Sequence, residues 1–326
     1  MKKRSVYKAV VITLSFLLVS AVIICTFGLI ERHLNKSKNV SGDSLRPNNT
    51  GEMFYYGERY LPRRNLTTLL ILGIDSKEGT SENRAESQQS DFIMLMVLDD
   101  SEKTYKLIQI NRDTMTEIRQ LDNNGTPTGT YTAQLTLAHT YGGTDSMRCR
   151  NSVHAVKNLL YGVDIDHYLS VTMDAVPVMN DRVGGVTLEL MDDFTHISPE
   201  LVKGESVTLM GEVALAYVQE RGRLEDSSNL NRMERQKQYL SELVKKIGKL
   251  ENEGLLSMLN DTAEYTVSDC SINKLSDIFE SVSTYTFEGI TLLEGEAVKG
   301  EEYIEYYIDE EAAKKLVVDT FYIKAE

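Results

Sequence analysis

Four charged residues stand at the ends of strand-like segments, where their side chains could converge on a ligand: Asp75, Asp91, Arg112 and Asp113. Carboxylates beside an arginine could hold Mg²⁺ and phosphate oxygens, because a hard cation prefers oxygen ligands and a guanidinium can donate two parallel hydrogen bonds. The same residues could instead form a structural ion pair at a strand end. Their spacing alone leaves both interpretations open.

Three predicted strands must position these residues. The apolar run 66–74 is typical of a strand that is buried on both faces of a sheet. Residues 91–98 and 104–111 predict a hairpin around the turn-rich segment 99–103. The first strand of a hairpin begins beside the end of the second, so we expect the four charged residues at one end of the sheet. Open mixed sheets commonly place their ligand sites there.

A second polar cluster follows a predicted apolar helix and comprises Arg221, Arg223, Arg232, Arg235 and Gln236. The last three occupy positions i, i+3 and i+4 and therefore share one face of the first turns of another helix. Donors at a helix N-terminus suit an anion. An ordinary solvated helix face is the alternative interpretation.

The body of the chain, residues 55–326, is predicted to be one domain, because no internal repeat or second linker interrupts it. Helical and strand-like segments alternate along it, which predicts an α/β fold, an α/β/α sandwich around a mixed central sheet. We expect helices near residues 145–160, 174–183 and from 309, and further strands near 165–171, after 185 and near 303–308.

One N-terminal transmembrane helix is expected before this domain. Residues 9–30 are 22 consecutive residues without a charge, long enough to cross a hydrocarbon core of about 30 Å. The apolar part of a cleaved signal peptide is usually shorter, so we expect an uncleaved signal anchor. Residues 1–8 would then be a cytoplasmic tail, residues 31–54 an extracytoplasmic linker, and the body extracytoplasmic. Basic residues on both sides of the span give little further preference.

Composition excludes some function classes. With 49 acidic against 35 basic residues the net charge is −14, which disfavours binding to nucleic acid. The chain lacks a GxSxG elbow, a phosphate loop ending in GK[ST] and an HExxH motif. Cys149 and Cys270 could form a disulfide or remain two free thiols, and no cysteine or histidine spacing is typical of a metal site.

Seven segments, taken in order, resemble the LytR-CpsA-Psr family of cell-envelope glycopolymer transferases. They are Leu-Gly-Ile-Asp75, Ser90-Asp91, Asn111-Arg112-Asp113, His139-Thr140-Tyr141-Gly142-Gly143, Val183-Gly184-Gly185-Val186, Ala214-Leu215-Ala216-Tyr217-Val218 and Arg232-Met233-Glu234-Arg235-Gln236. This resemblance implies a signal anchor, an α/β/α sandwich, and an apolar pocket for a polyprenyl chain whose pyrophosphate meets Mg²⁺ and arginines. It also implies that the body is extracytoplasmic.

The resemblance further implies roles for individual residues. Asp75 and Asp91 would hold Mg²⁺, and Asp113 would orient Arg112. The residues expected to bind the pyrophosphate are Arg112, Arg221, Arg232, Arg235 and Gln236. The implied reaction is attack by a peptidoglycan hydroxyl on the phosphorus of the glycopolymer's anomeric phosphate, with loss of the lipid monophosphate.

Five positions depart from the pattern of this family. Gln89, Gln134 and Gln219 replace basic residues, Asn111 replaces a proline, and Asn229 replaces an aspartate. Arg84 and Arg223 could compensate for the missing cations, and we include them in the expected pyrophosphate site. A non-catalytic regulator that binds polyprenyl phosphate or glycan at the cell surface is the alternative function.

The expected topology can be tested with a cysteine placed in the linker. The variant S44C should react with a membrane-impermeant thiol reagent in intact cells, because residue 44 would lie outside the membrane. The unsubstituted chain, treated in parallel, gives the background from its own cysteines. Labelling that appears only after cell lysis would contradict the expected orientation.

Overall fold

The computed structural model describes residues 47–48, 51–74 and 88–325. Its central sheet has six strands: β3 (Leu66–Ile74), β4 (Ser90–Asp99), β5 (Thr104–Ile110), β8 (His167–Thr172), β11 (Thr266–Ser268) and β12 (Thr286–Leu292). Their spatial order is β11-β8-β3-β4-β5-β12. β3 pairs antiparallel with β4 and parallel with β8, so the sheet is mixed, as predicted.

The other strands form small sheets around this centre. They are β1 (Met53–Tyr55), β2 (Glu58–Pro62), β6 (Met115–Leu121), β7 (Pro127–Gln134), β9 (Val186–Glu189), β10 (Ser206–Leu209), β13 (Gly295–Lys299), β14 (Ile304–Ile308) and β15 (Tyr322–Lys324). β1, β2 and β15 form one three-stranded sheet, and β6–β7, β9–β10 and β13–β14 form pairs.

Seven α-helices are present in the described ranges. They are α1 (Asp145–Leu159), α2 (Ala175–Arg182), α3 (Gly211–Gln219), α4 (Asn229–Ile247), α5 (Asn252–Asp261), α6 (Ile272–Thr284) and α7 (Glu310–Phe321). Two short 3₁₀ helices lie at Leu135–Thr140 and Ala263–Tyr265.

Alternate side chains of the sheet enter two different cores. Leu70, Leu95 and Ile108 pack on one face with residues of α1 and α7, such as Val156 and Val317. Leu69, Met96 and Leu107 pack on the opposite face with Ile278 of α6, and Leu240 of α4 packs against this second core. Helices therefore cover both faces of the sheet. The predicted α/β/α arrangement is confirmed.

The long helix α4 is bounded by ordinary terminal signals. The Ser228 side chain accepts a hydrogen bond from the backbone N–H of Asn231 at 3.1 Å, which caps the first turn. Lys245 and Lys246 lie in the last turn, where they interact favourably with the helix dipole. The contact between Arg232 of the first turn and Asp91 places the start of this helix beside the beginning of β4.

Several predictions fall on parts of the chain outside the described residues. The expected tail, transmembrane segment and most of the linker lie there, as do Asp75 and Arg84. In the described ranges no helix has both the length and the apolar character needed to cross a bilayer. The first described strand begins at Met53, whose side chain is fully buried, two residues before the predicted start of the domain at residue 55. Cys149 and Cys270 are both free thiols.

Two adjacent glycines before β9 differ in how much space surrounds them. Gly184 and Gly185 have φ angles of +76° and +75°. A Cβ on Gly185 would lie 2.7 Å from the carbonyl oxygen of Leu209, whereas a Cβ on Gly184 would meet nothing within 4 Å. The two positions thus share the same backbone requirement, and only Gly185 is also needed for close approach of β10.

Alanine substitutions at Gly184 and Gly185 distinguish the cost of backbone strain from the cost of steric overlap. G184A should lower the free energy of unfolding by about 1–2 kcal/mol, the cost of a left-handed backbone for a residue with a Cβ. G185A should cost about 1–3 kcal/mol more, because β10 must also shift. Urea unfolding of the purified chain measures both. Equal losses in the two variants would show that β10 accommodates the added methyl group.

Candidate functional site

The turn that follows β5 holds Arg112 over the beginning of β4. Thr114 donates a backbone hydrogen bond to the carbonyl of Asn111 at 3.1 Å. The Asn111 side-chain oxygen accepts the backbone N–H of Asp113 at 2.9 Å. These local bonds fix the direction in which the Arg112 side chain leaves the turn.

The Arg112 guanidinium donates hydrogen bonds to three side chains. Its Nη1 donates to a carboxylate oxygen of Asp91, its Nε donates to Asp113 at 3.2 Å, and its Nη2 donates to the Gln89 side-chain oxygen at 3.2 Å. The convergence of Asp91, Arg112 and Asp113 expected from the hairpin is confirmed. Two carboxylates neutralise this arginine, so it is not available to an anion unless one of them moves or takes another partner.

Arg232 approaches the same carboxylate from the first turn of α4. The residue is only 3% exposed. Its Nη1 lies 3.5 Å from Asp91 Oδ2, and its Nη2 donates to the Asn229 side-chain oxygen at 2.6 Å. Burial lowers the pKa of Arg232 to about 10, against the opposing effect of Asp91, and the nearby Arg221 and Arg112 lower it further. The side chain nevertheless remains positively charged at neutral pH.

Buried amides connect these charged groups. The Asn229 side-chain N–H donates to the Asn111 side-chain oxygen at 2.7 Å. The Gln134 side-chain N–H donates to Asp113 at 3.1 Å and to the carbonyl of Ile304 at 2.8 Å. Residues 89, 111, 134 and 229, four of the five positions expected to depart from the family pattern, therefore lie in a single hydrogen-bonded network.

Arg235 lies apart from this network. Its side chain is fully buried, its Nε is 3.1 Å from a carboxylate oxygen of Asp192, and its two terminal nitrogens donate to the backbone carbonyls of Tyr217 and Glu220. Its guanidinium also lies near the rings of Phe194 and Tyr217. Arg235 thus connects α4 to the C-terminal end of α3. It could affect a bound anion only indirectly, by fixing the position of that end of α3.

Gln236 and Arg223 occupy different surroundings. Gln236 is buried, and its side-chain N–H donates to the carbonyl of Val218 at 3.1 Å. Arg223 is exposed to solvent on the loop between α3 and α4. Neither lies among the residues lining the polar cleft beside Asp91.

That cleft has a volume of about 580 Å³. Its walls include Asp91, Arg221 and Arg232, together with Gln219 at the end of α3. A second, apolar pocket of about 120 Å³ lies between the sheet and helices α2 and α4, lined by residues such as Phe92, Met173, Met179 and Leu240. Val218 lines the apolar pocket and its neighbour Gln219 lines the cleft, so the two spaces adjoin at the C-terminal end of α3.

His139 contributes in a way that the sequence analysis missed. Its Nδ1 lies 2.8 Å from the carbonyl oxygen of Gln88 and must carry the proton, since a carbonyl only accepts. Burial lowers the pKa of His139 to about 4, so the ring is neutral at physiological pH. His139 therefore holds the residues directly before Asp91. The only available signal was its place in the matched segment 139–143.

The chain is similar to a known protein family. The model of the LytR_cpsA_psr family matches residues 33–320. The chain belongs to this family. The match includes the carboxylate–arginine network, the polar cleft and the apolar pocket.

Similar proteins include a curated relative from Halalkalibacterium halodurans, the polyisoprenyl-teichoic acid–peptidoglycan teichoic acid transferase TagU. It is 31% identical over 181 residues, which cover 55% of this chain and 52% of that protein. Biofilm regulatory protein A of Streptococcus mutans is 28% identical over 72% of this chain and 59% of its own length. The matched regions thus span about half the length of the curated relatives.

Solved structures support the fold. Bacillus subtilis TagV superimposes with a TM-score of 0.60 at 24% sequence identity, over 79% of this chain and 98% of that chain. At this level of identity the likeness establishes the α/β fold with a mixed central sheet.

The position of Arg235 leads to a stability prediction. R235A should lower the free energy of unfolding by about 3–5 kcal/mol, because it leaves the buried Asp192 carboxylate without its cation. The matched control R223A removes an exposed arginine of the same cluster and should change it by less than about 0.5 kcal/mol. Urea unfolding measures both. A fully stable R235A protein would contradict a structural role for this ion pair.

Proposed function

We propose that this protein is a phosphotransferase that moves a glycopolymer from a polyprenyl-pyrophosphate carrier onto a peptidoglycan hydroxyl. The observation that supports this proposal most directly is a network of arginines and carboxylates beside an apolar pocket. An amphiphilic lipid phosphate has both an apolar part and an anionic part, and the two spaces adjoin at Val218 and Gln219. The family membership and the names of the curated relatives are consistent with it.

The apolar pocket would receive the first part of the polyprenyl chain. Its volume of about 120 Å³ is smaller than the roughly 300–1,000 Å³ typical of small-molecule sites. A tail must therefore displace lining side chains. Met173 and Met179 are suited to this, because thioether side chains are flexible and repack readily around apolar ligands.

The anionic diphosphate would lie in the polar cleft. Arg221 and Arg232 line the cleft. Arg112 is not among the lining residues but is bound to Asp91, which is. Guanidinium groups bind phosphate oxygens with two parallel hydrogen bonds. Arg235 and Gln236 would act indirectly by fixing the end of α3, through their bonds to the carbonyls of Tyr217, Glu220 and Val218.

Magnesium would be held by Asp91 and by Asp75, the residue after β3. The carboxylate of Asp91 opens onto the cleft and provides the oxygen donor that a hard cation prefers. When bound, Mg²⁺ would neutralise charge on the diphosphate. A cation at Asp91 would also compete with Arg112 and Arg232 for that carboxylate, which would free both guanidinium groups for phosphate oxygens.

In the proposed reaction an acceptor hydroxyl oxygen forms a bond to the phosphorus that carries the glycopolymer. The bond between that phosphorus and the bridging oxygen breaks, and the lipid monophosphate leaves with the electron pair. The hydroxyl proton passes, directly or through solvent, to the leaving phosphate oxygen. Arg112, oriented by Asp113, and Arg232 would stabilise the negative charge on the phosphoryl oxygens. Positioning and charge neutralisation would supply most of the rate enhancement.

A cell-surface regulator that binds the lipid without turnover is the second candidate. Replacement of basic residues by Gln89, Gln134 and Gln219 reduces the positive charge expected in this family's site, which would favour binding without reaction. The name of the Streptococcus mutans relative is consistent with a regulatory role. For either function we propose that residues 9–30 anchor the chain in the membrane, with the folded domain outside the cell.

Titration of the purified full chain with a short-chain polyprenyl diphosphate tests the site. We expect Mg²⁺ to increase the affinity of the parent at least about tenfold, the equivalent of one charge-assisted hydrogen bond. D91N should bind the diphosphate more tightly than the parent in EDTA, because its arginines are already free, and should lose the response to Mg²⁺. R112A should bind at least about tenfold more weakly than R150A, a control on the exposed surface of α1.

The products distinguish the two candidate functions. Release of polyprenyl monophosphate in the presence of an acceptor glycan supports the transferase, and tight binding without release supports the regulator. If R112A and D91N both bind as the parent does, the anion site lies elsewhere and the proposed assignment of residues is wrong.

A further inference from the structure

Three potential metal ligands of different chemical types meet at the edge of the central sheet, away from the site described above. They are His167, Asp269 and Cys270, and one ligand atom from each lies within 4.8 Å of the other two. This is the only such group of three or more in the described part of the chain. The proposed transfer reaction gives it no role.

Strand pairing brings these residues together. β11 runs antiparallel to β8, with Ser268 opposite Leu169. β11 ends at Ser268, and Asp269 and Cys270 follow it beside the beginning of β8 at His167 and Tyr168. The pairing of β11 with β8 therefore brings the cluster together.

Hydrogen bonds to β8 fix the segment that carries two of the ligands. Asp269 accepts the backbone N–H of Tyr168 at 3.0 Å. The Ser268 hydroxyl donates to the carbonyl of Tyr168 at 2.6 Å and accepts the backbone N–H of Cys270 at 3.0 Å. The His167 ring lies 3.6 Å from Asp269. Little backbone rearrangement is needed to bring the three ligand atoms around one ion.

We propose that His167, Asp269 and Cys270 bind a divalent transition-metal ion of the zinc type, with water completing a tetrahedral shell. An imidazole, a carboxylate and a thiolate are the ligands that Zn²⁺ takes, at about 2.0–2.3 Å from the metal. Mg²⁺ and Ca²⁺ are disfavoured, since they require oxygen ligands. Small side-chain rotations suffice to bring ligand atoms that are now up to 4.8 Å apart into such a shell.

Cys270 would bind the metal ion through its thiolate, the form in which a cysteine is a metal ligand. A metal ion would displace the proton and bind the thiolate. Asp269 already accepts a backbone hydrogen bond from Tyr168, and such a second contact orients a metal ligand.

A metal here would act on the fold and not on the transfer chemistry. The cluster lies at His167, the first residue of β8, whereas Thr172 at the other end of β8 lines the apolar pocket. Five residue steps of about 3.3 Å separate the two ends by roughly 17 Å. The metal would connect His167 to two residues more than 100 positions later in the chain, Asp269 and Cys270, and would hold the short edge strand β11 in place.

Cobalt is the most direct probe, because a thiolate bound to Co²⁺ gives a charge-transfer absorption band in the near ultraviolet. The purified full chain should show this band on titration with Co²⁺, and Zn²⁺ should remove it by displacement. C270S should lose the band. The matched control C149S should keep it, because Cys149 is buried beside His139 and lies outside the cluster.

Two further variants test the other ligands. H167A and D269N should each bind Zn²⁺ at least tenfold more weakly than the parent, measured by competition with a chelating dye. Zn²⁺ should raise the Tm of the parent and C149S but leave that of C270S unchanged. A cobalt band that persists in C270S, or a parent chain that gives no band and no zinc-dependent rise in Tm, would overturn the proposal, whatever the outcome of the diphosphate experiments.

Discussion

The arrangement of the molecule depends on burying two positive charges at the beginning of α4. Arg232 and Arg235 are almost inaccessible to solvent, and a buried charge without a partner costs several kcal/mol. α4 can therefore dock only where Asp91 meets Arg232 and Asp192 meets Arg235. One carboxylate belongs to the sheet and the other to the segment after β9, so these two ion pairs fix the helix against both. The ion pair that docks the first turn of α4 consequently also forms part of the wall of the polar cleft.

Contacts between residues close together in the sequence could be predicted, whereas contacts between distant segments could not. The convergence of Asp91 and Arg112 follows from a hairpin with a short turn, whose register leaves little choice. The partner of Arg235 could not be found, because Asp192 lies in an irregular segment with no periodic signal. A face with two arginines and a glutamine also looks solvated in sequence, and only the packing of α3 and the segment after β9 on α4 buries it. The cluster of His167, Asp269 and Cys270 could not be predicted for a related reason. Its residues lie on or beside two strands that are distant in the sequence, so they form no sequence motif.

The hydrogen bonds of the network make the side chains at positions 111 and 229 depend on each other. The Asn111 side-chain oxygen accepts hydrogen bonds from the Asp113 backbone at 2.9 Å and from the Asn229 side chain at 2.7 Å. Residue 229 must therefore donate, which an aspartate cannot do when ionised, and its carboxylate would place two oxygens in contact. Asn111 thus requires an amide at position 229. The neutral amide in turn leaves Asp91 as the nearby anion paired with Arg232.

The boundary between the apolar pocket and the polar cleft determines which part of a bound lipid the protein would contact. Val218 faces the apolar pocket and Gln219 faces the cleft, so the transition from hydrocarbon to phosphate would have to occur within a single peptide unit. Because the apolar pocket has a volume of only about 120 Å³, the protein would contact only the isoprene units nearest the phosphate, and the remainder of the tail would stay outside. Carriers with different numbers of isoprene units would then be equivalent to it. Selectivity would reside in the stereochemistry of the first units and in the polar head.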